Sequence, residues 1–138
     1  MDQKMKELRK RLKQVPFNML LGMRLRNVHR DGITIECRVR DELRNSAGLA
    51  HGGVAAALAD AAVGIAIQAR FKGGRRITTV EMKINYFLPV AKGRIVARSR
   101  LLRIGKHLCV GNVELRDERR QLVGTAIITY MFLDGTGK

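Results

Sequence analysis

The sequence predicts an α+β domain in which one antiparallel sheet wraps a single long apolar helix. Three observations carry that prediction. Residues 52–71 form an alanine-rich run with Leu58, Val63, Ile65 and Ile67 interspersed, apolar nearly all round as a buried helix must be. Residues 33–40 alternate Ile33, Ile35, Cys37 and Val39 with Thr34, Glu36, Arg38 and Arg40, the period of a strand with one face on a core. From residue 76 onward the chain reads as four more strands with no second long helix, which segregates helix from sheet.

The elements follow in order. With 138 residues, 46% of them hydrophobic, one domain over residues 1–138 is expected and a second has no room. Residues 3–14 set Met5, Leu8 and Leu12 at helical spacing opposite lysines and arginines, so an amphipathic helix is expected within residues 1–16, ended by Pro16. A first strand is expected at residues 23–28, the turn at His29 to Gly32, and the alternating strand after it. A polar loop over residues 41–50 delivers Asn45 to the long helix, which the Gly73-Gly74 pair stops. Strands are expected at residues 77–88, 94–103, 107–116 and 122–133, joined by breaks short enough for hairpins between antiparallel neighbours. Residues 134–138 read as a frayed tail.

Composition narrows the function classes. A net charge of +15 calls for a polyanionic partner: nucleic acid, an acidic membrane surface, or a ligand with several phosphates. Aromatic content of 4% with no Trp disfavours a stacking platform for single-stranded nucleic acid. The residues before Phe17 are too few for a helix-turn-helix. No stretch reaches the ~18 uninterrupted apolar residues of a membrane span, and residues 4–13 are too charged for a signal peptide, so a cytoplasmic protein without a membrane partner is expected. Cys37 and Cys109 lie among strand-like residues with no metal-ligand spacing and read as reduced core thiols.

The chemistry gathers in residues 45–60. Gly52 and Gly53 open the long helix, where backbone N–H groups are still unpaired and a ligand can approach closely. Asp60 then puts a carboxylate into an apolar helix, which is costly unless it is paired, neutral or used. His51 and Asp60 are nine residues apart, about 2.5 turns and roughly 13 Å along one helix and on nearly opposite faces. They cannot both touch one small reacting group from the same chain. Two copies packed antiparallel about a twofold axis would bring the glycine end of one helix to the aspartate of the other.

Asn45, the His51-Gly52-Gly53 turn, Asp60, the Thr79-Val80-Glu81-Met82 strand start and the Arg103-Ile104-Gly105-Lys106-His107 turn, in this order around one helix, resemble the hotdog-fold acyl-CoA thioesterases. The branch resembled is the PaaI-like (phenylacetyl-CoA) one, over residues 17–132. That resemblance implies a sheet curved around the helix, dimers joined edge to edge through their sheets, homotetramers built from two dimers, and no metal or redox cofactor. It further implies that the Gly53 N–H polarises the thioester carbonyl with help from the helix dipole. Asn45 would hold the carbonyl or the attacking water, His51 would orient the thioester, and Thr79 would position the water or the carboxylate. Asp60 of the other chain would be general base or nucleophile. The nucleotide of coenzyme A would lie along Gly52, Tyr86, Leu88, Pro89, Arg103, Gly105, Lys106 and His107, with Arg75 or Arg76 near its phosphates. Glu81 is expected on the strand face of Thr79, lining the acyl pocket or pairing with an arginine.

Each residue also has a plainer reading. Asn45 and His51 fit helix caps, and Asp60 fits a buried interface carboxylate. Two rival functions stand beside the thioesterase: an acyl-CoA-binding protein without catalysis, and a basic nucleic-acid-binding protein.

Overall fold

The computed structural model describes residues 2–134. In chain order the elements are α1 (Gln3–Lys13), α2 (Pro16–Leu20), β1 (Arg24–Val28), β2 (Ile33–Arg38), a 3-10 turn (Asp41–Leu43), α3 (Gly52–Gln68), β3 (Ile77–Tyr86), β4 (Arg94–Ile104), β5 (Leu108–Arg116) and β6 (Leu122–Phe132). The six strands form one antiparallel sheet in the order β1-β2-β4-β5-β6-β3. This is the hotdog layout that the resemblance implied.

The core lies between α3 and the concave face of the sheet. Leu58, Ala59, Ala62, Val63 and Ile67 of α3 are fully buried, as are Ile33, Ile35, Ala97 and Ile128 of the strands facing them. Each large side chain contributes about 1.5–3 kcal/mol by leaving water. The helix sits close because β5 carries Gly111, where a Cβ would come within 3.0 Å of Val63 Cγ1. Both cysteines are buried and free, and burial pushes both thiols up from their usual pKa. No helix among the described residues is long and apolar enough to cross a membrane.

Three expectations about the path of the chain are corrected. Pro16 does not simply end the first helix: α1 stops at Lys13, and Pro16 opens α2 at its first position, where its fixed φ and missing N–H suit a helix start. The segment between β3 and β4 is not a hairpin either. β3 pairs only with β6, and β4 pairs with β2 and β5, so residues 87–93 cross the end of the sheet. That crossing is tied down where α3 begins, through Ala50 N–H to Val90 O at 2.8 Å, Val39 N–H to Gly93 O at 2.8 Å and Phe87 N–H to Val123 O at 2.8 Å. Asp134, read as the start of a frayed tail, instead pairs with Arg75 at 2.7 Å, beneath a guanidinium stacked 3.7 Å over the Phe132 ring. The rest of that tail lies outside the described residues.

Candidate active site

Two half-sites lie on the same helix. At its start His51 is the N-cap, and its Nδ1 accepts the Gly53 N–H at 2.8 Å. Nδ1 is therefore the acceptor, so the ring proton sits on the solvent-exposed Nε2. The backbone donor expected to meet a carbonyl oxygen is thus held by the neighbouring imidazole, while the Gly52 N–H has no acceptor among the described residues. Tyr86 at the end of β3 donates its hydroxyl to the Gly52 carbonyl at 2.5 Å. Burial pushes that phenol up, so it stays a donor.

Asn45 builds the loop before the helix with its own side chain. Its Oδ1 accepts the N–H groups of Ala47 at 3.0 Å and Leu49 at 3.1 Å. The amide NH2 has no partner among the described residues and lies on the wall of a cleft of about 330 Å³, with His51, Gly52, Tyr86, Leu88 and Pro89. The crossing segment supplies the far wall of that cleft.

The second half-site surrounds Asp60. Its Oδ1 accepts the Thr79 hydroxyl at 2.7 Å, and the Tyr130 hydroxyl lies 2.8 Å from both Oδ1 and the Asp60 backbone carbonyl, which share its one proton; Oδ2 has no hydrogen-bond partner among the described residues. Thr79 and Tyr130 sit directly opposite each other on β3 and β6, so the sheet itself sets the spacing of the two donors. Burial and the Asp60 charge push the Tyr130 phenol far up, which keeps its proton on. Room for the ring comes from Gly64, one turn beyond Asp60, where a Cβ would stand 2.6 Å from the Tyr130 oxygen. Asp60 opens into a cavity of about 370 Å³ whose wall is part apolar, from Val15, Phe17, Ala57, Ala61, Ile65 and Ile77, and part polar, from Arg11, Gln14, Asn18 and Gln68.

Tyr130 was absent from the sequence reading. A tyrosine at an inward position of a strand, registered opposite a chosen threonine, was the available signal, but register was not knowable without the β3-β6 pairing. Glu81 is corrected: β3 has a bulge between Thr79 and Glu81, and the extra residue turns Glu81 onto the outer face opposite Thr129, where it is exposed. Met82 and Ile84 follow Thr79 on the inner face, packed against the core.

Within one chain, the structure brings Asn45, His51, Gly52, Tyr86, Leu88 and Pro89 into one cleft and puts Asp60 in another; the two share no lining residue. Thr79 goes with Asp60. Gly105, Lys106 and His107 form the β4-β5 turn and Arg103 stands just before it at the end of β4, at the opposite end of the sheet from the cleft, because β4 needs roughly 30 Å to run from Arg94 to Ile104. That turn flanks the end of β6 through Phe132 N–H to His107 O at 3.0 Å, and Arg76 flanks it through Leu133 N–H to Arg76 O at 2.9 Å.

The sequence model of the thioesterase superfamily matches residues 47–123, from the loop before His51 through α3 to the start of β6. The chain belongs to the thioesterase superfamily. Similar proteins include the medium/long-chain acyl-CoA thioesterase YigI of Escherichia coli, 27% identical over 85% of each chain. The phenylacetic acid degradation protein PaaI of Thermus thermophilus is 27% identical, with a TM-score of 0.77 over 86% of this chain and 100% of that one. A thioesterase structure from Haemophilus influenzae superposes with a TM-score of 0.86 over 94% of this chain and 90% of that one; at 22% identity it speaks for the fold alone. This member of the superfamily is a hydrolase, and α1, α2, Asn45 and Tyr130 lie outside the matched span.

Proposed function

We propose that the protein hydrolyses acyl- or aryl-acyl-CoA thioesters to the free acid and CoA, in sites that two copies build together. The observation that carries this reading is the clamped carboxylate: two hydroxyls hold one oxygen of Asp60 and leave the other without a hydrogen-bond partner among the described residues, in a side chain that lines a partly apolar cavity. A protein that only binds acyl-CoA has no use for such a carboxylate, since an anion held in a partly apolar cavity costs free energy without helping to bind a neutral acyl group.

The edges of the sheet support the two-copy arrangement. β3 is a ten-residue edge strand, long enough to add another strand, and Val80 on it is exposed. If two β3 edges pair antiparallel about a twofold near its middle, Thr79 of one lies near residues 84–86 of the other. Thr79 carries Asp60 through one hydrogen bond, and Tyr86 carries Gly52 through another. The same pairing therefore brings Asp60 of one copy to the His51-Gly52-Gly53 end of the other. Two such dimers would make a tetramer, for which the exposed Leu102, Leu108, Ile127 and Met131 offer an apolar patch.

In that site the thioester carbonyl oxygen takes the Gly52 N–H and displaces His51 Nδ1 from the Gly53 N–H, at the positive end of α3. The Asn45 NH2 and the His51 Nε2–H orient the thioester. Asp60 activates water, or attacks and is then released by water. Thr79 and Tyr130 keep its reactive oxygen aimed. The thiolate leaves without needing much protonation. Arg76, Arg103, Lys106 and His107 gather at the Asp60 end and would meet the phosphates of CoA. The name of the YigI relative and the apolar lining of the Asp60 cavity support a substantial acyl group. The nucleic-acid reading weakens because Asp31, Glu36, Glu114 and Glu118 thread the arginines of the outer face, pairing Arg26, Arg94, Arg98, Arg100 and Arg116.

The experiment is thiol release from a panel of short-, medium- and long-chain, phenylacetyl- and hydroxybenzoyl-CoAs, with wild type and Asp60→Asn side by side. Turnover that depends on Asp60 supports the reading; equal activity in the two proteins overturns it.

A further inference from the structure

α2 contributes a polar group to the Asp60 cavity that neither the family match nor the motifs of the long helix include. Asn18 is only 7% exposed, and it lines the same cavity as Asp60 and Tyr130. Its side-chain amide makes no hydrogen bond among the described residues, although its backbone carbonyl accepts the Met23 N–H at 3.0 Å. The amide is not sealed in the core, so it can meet water or a ligand from the cavity it lines. Asn18 is also held in place. The carbonyls that end α2 are gripped from the β2 side, where Arg40 donates to Leu20 O and Leu21 O and the Cys37 thiol donates to Leu21 O at 3.0 Å.

The other polar groups around the cavity are committed or peripheral. Gln68 uses both ends of its amide on the Arg75 backbone, at 2.6 and 2.8 Å. The Tyr130 hydroxyl is on Asp60. Gln14 is exposed and Arg11 partly so, at the mouth of the cavity. That leaves Asn18 and Asp60, a donor-acceptor amide and a carboxylate whose Oδ2 has no hydrogen-bond partner among the described residues, lining one cavity.

We propose that the Asn18 amide and the uncommitted oxygen of Asp60 hold the attacking water between them. This rests on the thioesterase reading above and deepens it. An amide can donate to the water oxygen or accept one of its protons, and the carboxylate takes the proton that leaves as the water attacks. In the step, a bond forms from the water oxygen to the thioester carbon. The water proton passes to Asp60 Oδ2, and the carbon–sulfur bond breaks with its electron pair on sulfur, giving acid and thiolate. Asp60 then returns its proton to solvent. Asn18 is a positioning residue in this scheme.

The test is product partition in the presence of hydroxylamine, a nucleophile that attacks thioesters without needing water's placement. Asn18→Leu fills similar space without polarity. The expected result is acid formation slowed about tenfold or more, with KM for acyl-CoA within about twofold of wild type and a hydroxamate-to-acid ratio raised about fivefold or more. Asn18→Ser, which keeps a hydroxyl in the cavity, should recover part of the loss, and it carries the same readout if the leucine variant does not fold. Acid formation within about twofold of wild type, or a loss with an unchanged product ratio, overturns the proposal. Asp60→Asn run in parallel separates the two claims: if it retains turnover, the thioesterase reading itself has failed, whereas its collapse beside an unaffected Asn18→Leu removes only the role of Asn18.

Discussion

The two candidate half-sites on α3 are built in opposite ways. At the helix start the groups are backbone amides and exposed side chains, held by one short-range contact from His51 to the Gly53 N–H, and a carbonyl oxygen could displace that contact. At Asp60 the groups are half-buried side chains locked by a cross-strand pair and by a glycine that leaves space for one ring. On the proposed reading the difference would separate the tasks, with an adaptable donor end to receive a substrate and a rigid carboxylate end to deliver the chemistry. Neither end holds the other's groups, and one helix cannot bend to join them.

Substitutions break or sharpen this contrast, and the largest effect is expected at the rigid end. Asp60→Asn should lower kcat by about 10²–10⁴-fold while CoA binding, followed by calorimetry, is kept. Next comes the clamp. Tyr130→Phe should slow kcat about tenfold with KM unchanged, the usual worth of one hydrogen bond. Combined with Thr79→Val, the effects should be non-additive, since both hydroxyls serve one oxygen. Gly64→Ala sharpens the same point. Its Cβ would meet the Tyr130 oxygen at 2.6 Å, so activity should fall even though alanine favours the helix by about 0.8–1 kcal/mol over glycine. Steady-state kinetics beside a thermal melt would show whether activity and stability part in this way.

At the adaptable end, Gly53→Ala puts a Cβ 2.9 Å from His51 Nδ1. The imidazole must move, and the expected result is a loss of several-fold, about 1 kcal/mol in kcat/KM. Glu81→Ala should change kcat/KM by less than about twofold, because the bulge has turned that side chain to the outer face. The smallest effect is expected at Asp134→Asn, read as a slight fall in melting temperature and not in activity. The Arg75 guanidinium holds the Asp134 carboxyl below its ordinary pKa. That clamp is therefore present above the ordinary carboxylate pKa and is lost as pH falls through the depressed one, so wild type and variant should melt alike in strong acid.

The order of elements was legible because apolar period and length are local properties: α3 and the alternating β2 could hardly be anything else. Asn45, His51, Gly52, Gly53, Asp60 and Thr79 stood out as candidates because their order around one helix is a pattern in the chain, and the separation of His51 from Asp60 followed from helix rise alone. Three features were not legible for one shared reason, that they depend on pairing between distant residues. The crossing at residues 87–93 requires knowing that β4 chooses β2 over β3. Tyr130 becomes a clamp only in register with Thr79. Glu81 changes face because a single bulge shifts the count by one, and strand parity leaves no trace of that in sequence. Asn18 escaped notice because Pro16 reads equally well as the end of one helix and the start of another.

The most direct measurement of the central claim is subunit complementation. Asp60→Asn and a His51→Ala/Asn45→Ala variant, each purified and nearly inactive, are mixed at equal concentration under conditions that exchange subunits, and thioester hydrolysis is followed. If each site takes Asp60 from one copy and the His51-Gly53 end from the other, every mixed dimer holds one intact site, and activity should recover to about a quarter of wild type for random pairing of a twofold dimer. Mixed dimers that form and stay inactive would contradict the account, because every site would then be built within one chain.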